Sequence, residues 1–207
     1  MSKADVVSSF SVFTKVPIPI RSMFLLKMLN FKITNIKLSL KTSFVCLNSV
    51  KSNFDQTNIN VKKYPNFLVI KDTFTYVFFK SSDGKINHLN ITNIPNFATI
   101  DISVHHFLKT LLKNFDISEI FRRVDNITGS INLREKIDLI HLIDHFKKIC
   151  RVSYNAEKFP GAFLKFNKGT IIVFHTGKCI LIGCKHINTL KCLTDHIQKY
   201  VDTKTKF

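Results

Sequence analysis

The stretch that decides the fold is YNAEKFPGAFLKFNKGTIIVFHTGKCILIGCK, which runs from Tyr154 to Lys185. Its β-branched and aromatic segments are separated by the turn sequences Asn-Lys-Gly and Thr-Gly-Lys, a pattern that predicts antiparallel strands. Phe159 stands beside a Pro-Gly and Phe174 stands close to a Thr-Gly. The sequence therefore places two large apolar side chains at strand ends, and this position asks for a reason.

The net charge bears on the partner of the protein. The chain has 207 residues, with 31 Lys and Arg against 14 Asp and Glu, so its formal charge is +17. Hydrophobic residues make up 45% of the chain, a composition that is able to bury a core. A charge this large predicts a polyanionic partner, with nucleic acid before an anionic membrane. An AT-rich genome, which favours Lys, Asn and Ile codons, is the alternative explanation of the same composition.

Cysteine usage and hydropathy indicate the compartment. The five cysteines are odd in number and form no C-x-x-C pair, which is typical of free thiols in a reducing environment. No apolar run approaches the ~18 residues of a membrane span, and the N-terminus lacks the order of a signal peptide. We therefore expect no membrane contact and interpret residues 1–30 as an N-terminal arm.

The chain contains an internal repeat. The segments Phe31–Leu40 and Arg122–Leu133 are both strand-like, and their central Asn35 and Asn126 lie 91 positions apart in the numbering. An amphipathic segment of helical period follows each one. The apolar positions of the first are Phe44, Leu47, Val50 and Phe54, and a similar spacing in the second is formed by Ile137, Ile140, His141, Ile143 and Ile149.

Each half then continues in the same order. A basic link with an aromatic-Pro pair leads into strands that are closed by a Gly-Lys turn, and an amphipathic helix ends the half. The two helices are predicted over Ile102–Phe115 and Ile187–Val201. The predicted fold is α+β, with repeats at 31–115 and 116–201, a tail at 202–207, and one antiparallel sheet whose second face stays open.

At this point the sequence resembles the TATA-box-binding protein family. The motifs are VDNITGS, YNAEKFPGAFLKF and VFHTGKCILIGCK, and the resemblance covers residues 31–201, most strongly after Val124. It implies a saddle of two pseudo-symmetric repeats, with helices on the convex face and the DNA minor groove against the concave one. The compact chain, with a composition that an AT-rich genome favours, suggests a divergent and viral member.

The resemblance also implies site residues. Minor-groove proteins insert apolar side chains between base steps and kink the duplex. The positions that match the intercalating residues are Phe159 and Phe174, with Tyr64 and Phe79 in the first repeat. Base contacts are implied for Asn35, Asn126, Thr128, Ile172, Ile180 and Ile182, and phosphate contacts for Lys165, Lys178 and Lys185. Glu157 matches an acidic residue that contacts transcription factor IIB in the family.

The first repeat departs from the family pattern. Lys37, Asn87 and Leu89 stand where groove-facing Val or Thr residues are expected. A more polar first half could read another sequence, bind more weakly or have lost DNA binding.

Catalytic and metal chemistry is weakly supported. His141 and His145 lie at helical spacing, and Cys184 stands near His186, but neither pair has a third ligand in the sequence. No Walker loop and no nucleophile elbow occurs. We therefore expect a protein that is not an enzyme and that needs no metal or cofactor.

The sequence thus predicts a transcription initiation factor that binds and bends A·T-rich promoter DNA. The expected partners are double-stranded DNA, a transcription factor IIB-like protein and an RNA polymerase complex, in the nucleus or at a cytoplasmic site of viral transcription. The main alternative is a degenerate module that binds proteins of a transcription complex. An accessory domain of a nucleic-acid enzyme and a basic packaging protein are further alternatives.

Overall fold

The computed structural model describes residues 31–46, 60–82, 85–111, 120–133 and 135–204. These residues lie in one compact unit, Phe31–Phe207. The predicted N-terminal arm lies outside the described residues, as do Leu47, Val50 and Phe54 of the first amphipathic segment.

Ten strands and three helices follow one another along the described residues. The first half contains β1 (Phe31–Cys46), β2 (Asn60–Lys63), β3 (Phe67–Lys71), β4 (Thr75–Lys80), β5 (Lys85–Ile94) and α1 (Ile100–Leu111), which a short 3-10 turn precedes. The second half contains β6 (Ile120–Asn132), α2 (Leu139–Phe146), β7 (Arg151–Asn155), β8 (Phe159–Phe166), β9 (Gly169–Phe174), β10 (Lys178–Cys184) and α3 (Ile187–Lys204).

All ten strands form one antiparallel sheet in the order β2-β3-β4-β5-β1-β6-β10-β9-β8-β7. The order of the second half mirrors that of the first, and the two halves join where β1 pairs with β6. Asn35 lies opposite Thr128 and Lys37 lies opposite Asn126, so an approximate two-fold axis passes between these pairs. The sheet confirms the predicted α+β fold with two pseudo-symmetric repeats.

The helices cover one face of the sheet. Phe107 of α1 packs against the rings of Tyr76 and Phe78, and Phe146 of α2 packs against Phe166 of β8. Alternate strand residues are buried beneath the helices, as in Ile36, Leu38 and Leu40 of β1. The face that the helices leave uncovered is called the open face below.

Three local predictions need correction. Phe44 lies in β1, which continues to Cys46, and not in a helix. The α2 helix begins after Asp138, whose side chain accepts hydrogen bonds from the N–H groups of Ile140 and His141. This start sets the helical phase so that the buried residues of α2 are Leu139, Leu142, Ile143 and Phe146, while the predicted Ile140 is 65% exposed.

The third correction concerns the C-terminus. Helix α3 continues to Lys204, so the predicted tail at 202–207 begins inside it. The predicted apolar face of α3 is confirmed, because Leu190, Leu193, Ile197 and Tyr200 are all buried.

Candidate nucleic-acid interface

Two phenylalanines of the second repeat meet at neighbouring strand ends. Phe159 is the first residue of β8 and Phe174 the last of β9, and their ring centroids lie 5.6 Å apart. Phe159 is 37% exposed. We call these two residues the wedge pair.

The wedge pair depends on a glycine. A Cβ atom at Gly161 would lie 2.8 Å from the Phe159 ring, 2.9 Å from Ile172 Cγ2 and 3.1 Å from the Phe174 ring. Separations below about 3 Å are too close for carbon atoms in van der Waals contact. The absence of a side chain at Gly161 therefore allows the two rings to approach each other over the sheet.

The first repeat arranges its aromatic residues differently. Tyr64 and Phe79 are exposed, at 41% and 36%. Phe67 stacks on Tyr64 with centroids 4.4 Å apart and lies 6.4 Å from Phe79. It pairs with Phe79 across the strands as Gly161 pairs with Phe174. Phe67 was not among the residues predicted from the sequence, although its place in the Tyr-Pro-Asn-Phe segment was an available signal.

The two central asparagines have matching environments. Asn126 Oδ1 accepts a hydrogen bond from the N–H of Gly183 at 2.9 Å, and Asn35 Oδ1 accepts one from the N–H of Asn93 at 2.8 Å. Gly183 and Asn93 both have positive φ angles, 77° and 66°. Asn126 Nδ2 also donates to Thr128 Oγ1 at 3.2 Å. Because each amide oxygen already accepts a hydrogen bond from the backbone, the NH₂ group is the part of each amide that remains available to a ligand, as a donor.

The predicted apolar contacts lie on neighbouring strands. Ile180 of β10 pairs with Ile172 of β9 and Ser130 of β6, and Ile182 pairs with Thr170. Ile180 and Ile182 are partly exposed, whereas Ile172 is only 8% exposed. Together with Thr128 they form a mostly apolar surface between the wedge pair and Asn126.

The predicted phosphate and partner contacts are at the surface. Lys165, Lys178 and Lys185 are all exposed. Glu157 is exposed in the turn between β7 and β8, and its N–H donates to Asn155 Oδ1 at 3.1 Å.

The open face of the first half is polar, but some of the positions that the sequence assigned to it lie elsewhere. Leu89 is buried at 1% exposure on the helix side, and the Asn87 side chain lies outside the described residues. Since Asn93 matches Gly183, the positions that match Ile180 and Ile182 are Asn90 and Thr92. The alignment of Asn87 and Leu89 with the groove was therefore wrong.

Other chemistry finds little support in the described part of the chain. No group of three His, Cys, Asp or Glu side chains there could hold a metal ion, and no described helix has the length and apolarity to cross a bilayer. Cys150, Cys179, Cys184 and Cys192 are free thiols, in agreement with the expectation for these four cysteines.

Fold and site together define a protein with two repeats on one sheet and an open face that carries the wedge pair and the two central asparagines. The solved structure of Methanococcus jannaschii TBP has this fold, with a TM-score of 0.65 and 19% sequence identity over 86% of this chain and 99% of that one. The sheet is thus the TBP-like saddle.

Sequence comparison finds related proteins. Residues 122–203 match the family described as transcription factor TFIID, or TATA-binding protein. The TATA-box-binding protein of Pyrococcus horikoshii is 33% identical over 96 residues, which are 44% of this chain and 48% of that protein. That of Pyrobaculum islandicum is 34% identical over 71 residues, which are 33% of this chain and 34% of that protein.

The sequence similarity to the TATA-box-binding protein family lies in the second repeat, whereas the similarity in fold extends over both repeats. The chain spans about half of the length of the Pyrococcus relative and a third of the Pyrobaculum one. The family that matches residues 122–203 is described as a transcription factor.

Proposed function

We propose that this protein binds A·T-rich double-stranded DNA in the minor groove through its open face, bends the DNA and acts as a transcription initiation factor. The observation that carries the proposal is the wedge pair, which stands at strand ends beside a surface that leads to the Asn126 amide.

The wedge pair would act by insertion. An apolar ring that enters a base step unstacks it, at a cost of a few kcal/mol per step, and the kinked duplex can then contact more of the protein. Phe159 and Phe174 suit this role because they lie at the end of the second repeat, close enough to enter one step together. Tyr64 and Phe79 would act at the other end, where Phe67 widens the aromatic surface.

The centre of the open face would read the base pairs. In the minor groove, A·T pairs offer the acceptors A N3 and T O2, and the NH₂ groups of Asn35 and Asn126 can donate to them. Ile180 and Ile182 would fill the groove without offering an acceptor. This half of the surface therefore favours A·T pairs over G·C pairs, whose exocyclic amine needs one.

The lysines would add affinity that does not depend on sequence. Each phosphate that Lys165, Lys178 or Lys185 neutralises releases condensed counterions, so the affinity falls as salt rises. With about 0.9 counterions per contact, replacing one lysine that binds a phosphate with Gln lowers the salt slope by about one.

We further propose that Glu157 contributes to a surface for a transcription factor IIB-like protein, through which an RNA polymerase complex is recruited. Its carboxylate is exposed in a turn that Asn155 holds by hydrogen bonds to the N–H groups of Glu157 and Lys158. A Glu157→Lys substitution should weaken capture of such a factor by the DNA complex and leave DNA binding intact. Equal loss of both would remove the basis for this surface.

The test of the DNA proposal is bending, measured by energy transfer between labels at the two ends of an A·T-rich duplex, with a G·C-rich duplex beside it. Phe159→Ala and Phe174→Ala should each weaken binding roughly 10-fold, from the ~1–3 kcal/mol that a ring stacked on a base contributes, and should reduce the bend. Ile140→Ala is the matched control, because Ile140 is an exposed apolar residue on the helix side.

Bending of A·T-rich DNA that depends on the wedge pair and not on Ile140 would support the proposal. Equal binding to both duplexes, without a bend and without an effect of the wedge variants, would refute it. The positive charge alone would then account for the binding.

A further inference from the structure

The approximate two-fold axis allows the two halves of the open face to be compared position by position. Asn35 matches Asn126, and Asn93 matches Gly183, because each pair makes the same hydrogen bond. Pairing registers agree, since Ser39 lies opposite Asn90 as Ser130 lies opposite Ile180. The matched positions are Lys37 with Thr128, Asn90 with Ile180, and Thr92 with Ile182.

A carboxylate lies among the polar residues of the first half. Asp125 belongs to β6, but its side chain reaches across to β1, where its Oδ2 accepts from Ser39 Oγ at 2.6 Å and lies 3.7 Å from Lys37 Nζ. Its Oδ1 accepts from Arg123 Nε at 2.9 Å. The Asp125 side chain is 18% exposed, so part of the carboxylate is accessible from the open face.

The ionisation and orientation of Asp125 are fixed by its neighbours. Burial alone would raise the pKa of Asp125, but the hydrogen bonds from Ser39 and Arg123 and the charges of Arg123 and Lys37 outweigh burial, and the pKa is lowered. Ser39 Oγ also lies 2.9 Å from Asn90 Oδ1. Because a hydroxyl has one proton, Ser39 donates to one of these two oxygens at a time, and the shorter contact with the charged carboxylate is the stronger one.

The chemistry of this half suits a hydrogen-bond donor on the ligand. In the minor groove a G·C pair differs from an A·T pair by the guanine N2 amine, which is a donor. Ile180 and Ile182 give that amine no partner, and a buried donor without a partner is unfavourable. Asp125 offers carboxylate oxygens in the first half, and Lys37 and Arg123 offset the repulsion between this charge and the phosphates.

We propose that the first half of the open face accepts G·C base pairs, with Asp125 accepting a hydrogen bond from the guanine N2 amine, whereas the second half is restricted to A·T. The natural target is then an asymmetric site. This inference rests on the proposed minor-groove binding.

The test uses five duplexes of equal length and measures their dissociation constants at one salt concentration. The first duplex contains only A·T pairs. The second carries G·C pairs in one half of the site, and the third carries them at the matched steps of both halves. The fourth and fifth carry inosine·C pairs at the same steps as the second and third. Inosine lacks the N2 amine and otherwise keeps the groove edge of guanine, so the G-to-inosine ratio isolates the amine. A duplex presents its site in two opposite orientations, so a substitution in one half can lie under the first repeat.

For the wild type we expect G·C in one half to cost less than about 3-fold, and G·C in both halves to cost about 10-fold or more, as a mismatched base pair typically does. Inosine·C should restore the affinity of the doubly substituted duplex. Asp125→Val should prefer inosine·C over G·C by about 10-fold in the half-substituted duplex, with each affinity taken relative to that of the same variant for the all-A·T duplex.

Asp144→Val is the matched control, since Asp144 is an exposed aspartate of α2 that pairs with Lys147 at 3.2 Å. It changes the charge equally and should keep the wild-type ratios. Ser39→Ala keeps Asp125 but removes the hydrogen bond that orients it; it should show a smaller loss of G·C tolerance, and it serves as the test variant where Asp125→Val fails to fold.

Equal penalties for G·C and inosine·C would overturn the inference while leaving A·T binding in place. The same holds if the loss of binding free energy for G·C in one half is as large as half of the loss for G·C in both halves. Unchanged ratios in the Asp125 and Ser39 variants would remove Asp125 from it. Failure to bind or bend the all-A·T duplex would instead refute the proposed function, and this inference with it.

Discussion

Replacing Asn126 with Asp separates the structural role of this residue from its role in reading DNA. The side chain keeps its size and keeps an oxygen that accepts the Gly183 N–H at 2.9 Å. The 3.2 Å contact with Thr128 Oγ1 can also persist, because the threonine hydroxyl can turn to donate to the new carboxylate. We therefore expect the free energy of unfolding to change by about 0.5 kcal/mol or less, as for most surface substitutions.

DNA binding should change much more. The NH₂ group that can donate to A N3 or T O2 is replaced by an oxygen that can only accept, and the two acceptors repel each other. Loss of a good base contact costs about 1–3 kcal/mol, which corresponds to about 5- to 150-fold in the dissociation constant. The repulsion places the expected loss toward the upper part of that range.

The assay is fluorescence anisotropy on the all-A·T duplex at fixed salt, with thermal unfolding of each variant measured in parallel. Asn132→Asp is the charge-matched control, because Asn132 is exposed at the end of the same strand. Binding by Asn126→Asp within about 2-fold of that control, with both variants folded, would show that the amide does not contact DNA, and would refute the argument from its orientation.

Three further predictions concern the glycine, the carboxylate and the thiols. Gly161→Ala should displace the wedge pair and thereby reduce the DNA bend in the energy-transfer assay. It should also lower the free energy of unfolding by about 1–3 kcal/mol, as overpacking does. Asp125→Asn should lower the free energy of unfolding at neutral pH, because a carboxylate with a lowered pKa stabilises the fold only while it is ionised. In urea unfolding, the difference in unfolding free energy between the variant and the wild type should vanish as the pH falls through the lowered pKa of Asp125. Brief alkylation of the native protein should label the exposed Cys192 before the buried Cys179, whose pKa burial raises to about 12, as mass spectrometry would show.

Each of these has a clear contrary result. An unchanged bend in Gly161→Ala would mean that the rings can move aside without loss of function. A stability difference for Asp125→Asn that is constant with pH would exclude an electrostatic origin. Equal labelling of the two cysteines would contradict the burial of Cys179.

Local sequence was sufficient where short segments carry the structure. The turns around Asn-Lys-Gly and Thr-Gly-Lys and the alternation of strand residues predicted β8, β9 and β10, and the apolar period of α3 predicted its buried face. The correspondence of Asn35 and Asn126 between the two repeats was also visible in the sequence, because an internal duplication preserves spacing. The helical phase of α2 was not visible in the sequence, because it depends on the cap at Asp138 and on the strands beneath the helix.

Register and contacts across strands needed the folded chain. The register between β1 and β5 pairs Ser39 with Asn90 and Leu40 with Leu89. Successive side chains of a strand alternate between the two faces of the sheet, so Asn90 faces the open side while Leu89 is buried under the helices.

The sequence by itself therefore determined that this is a basic α+β protein with two repeats, and its resemblance to a known family indicated the aromatic, asparagine and lysine positions of the proposed DNA-binding face. Only the tertiary structure decided that Asp125 of one repeat lies beside Ser39 and Lys37 of the other, and that Phe67 enters the aromatic cluster of the first. The reason is physical: periodicity and turn residues act over a few positions of the chain, whereas hydrogen bonds between strands join residues 86 positions apart.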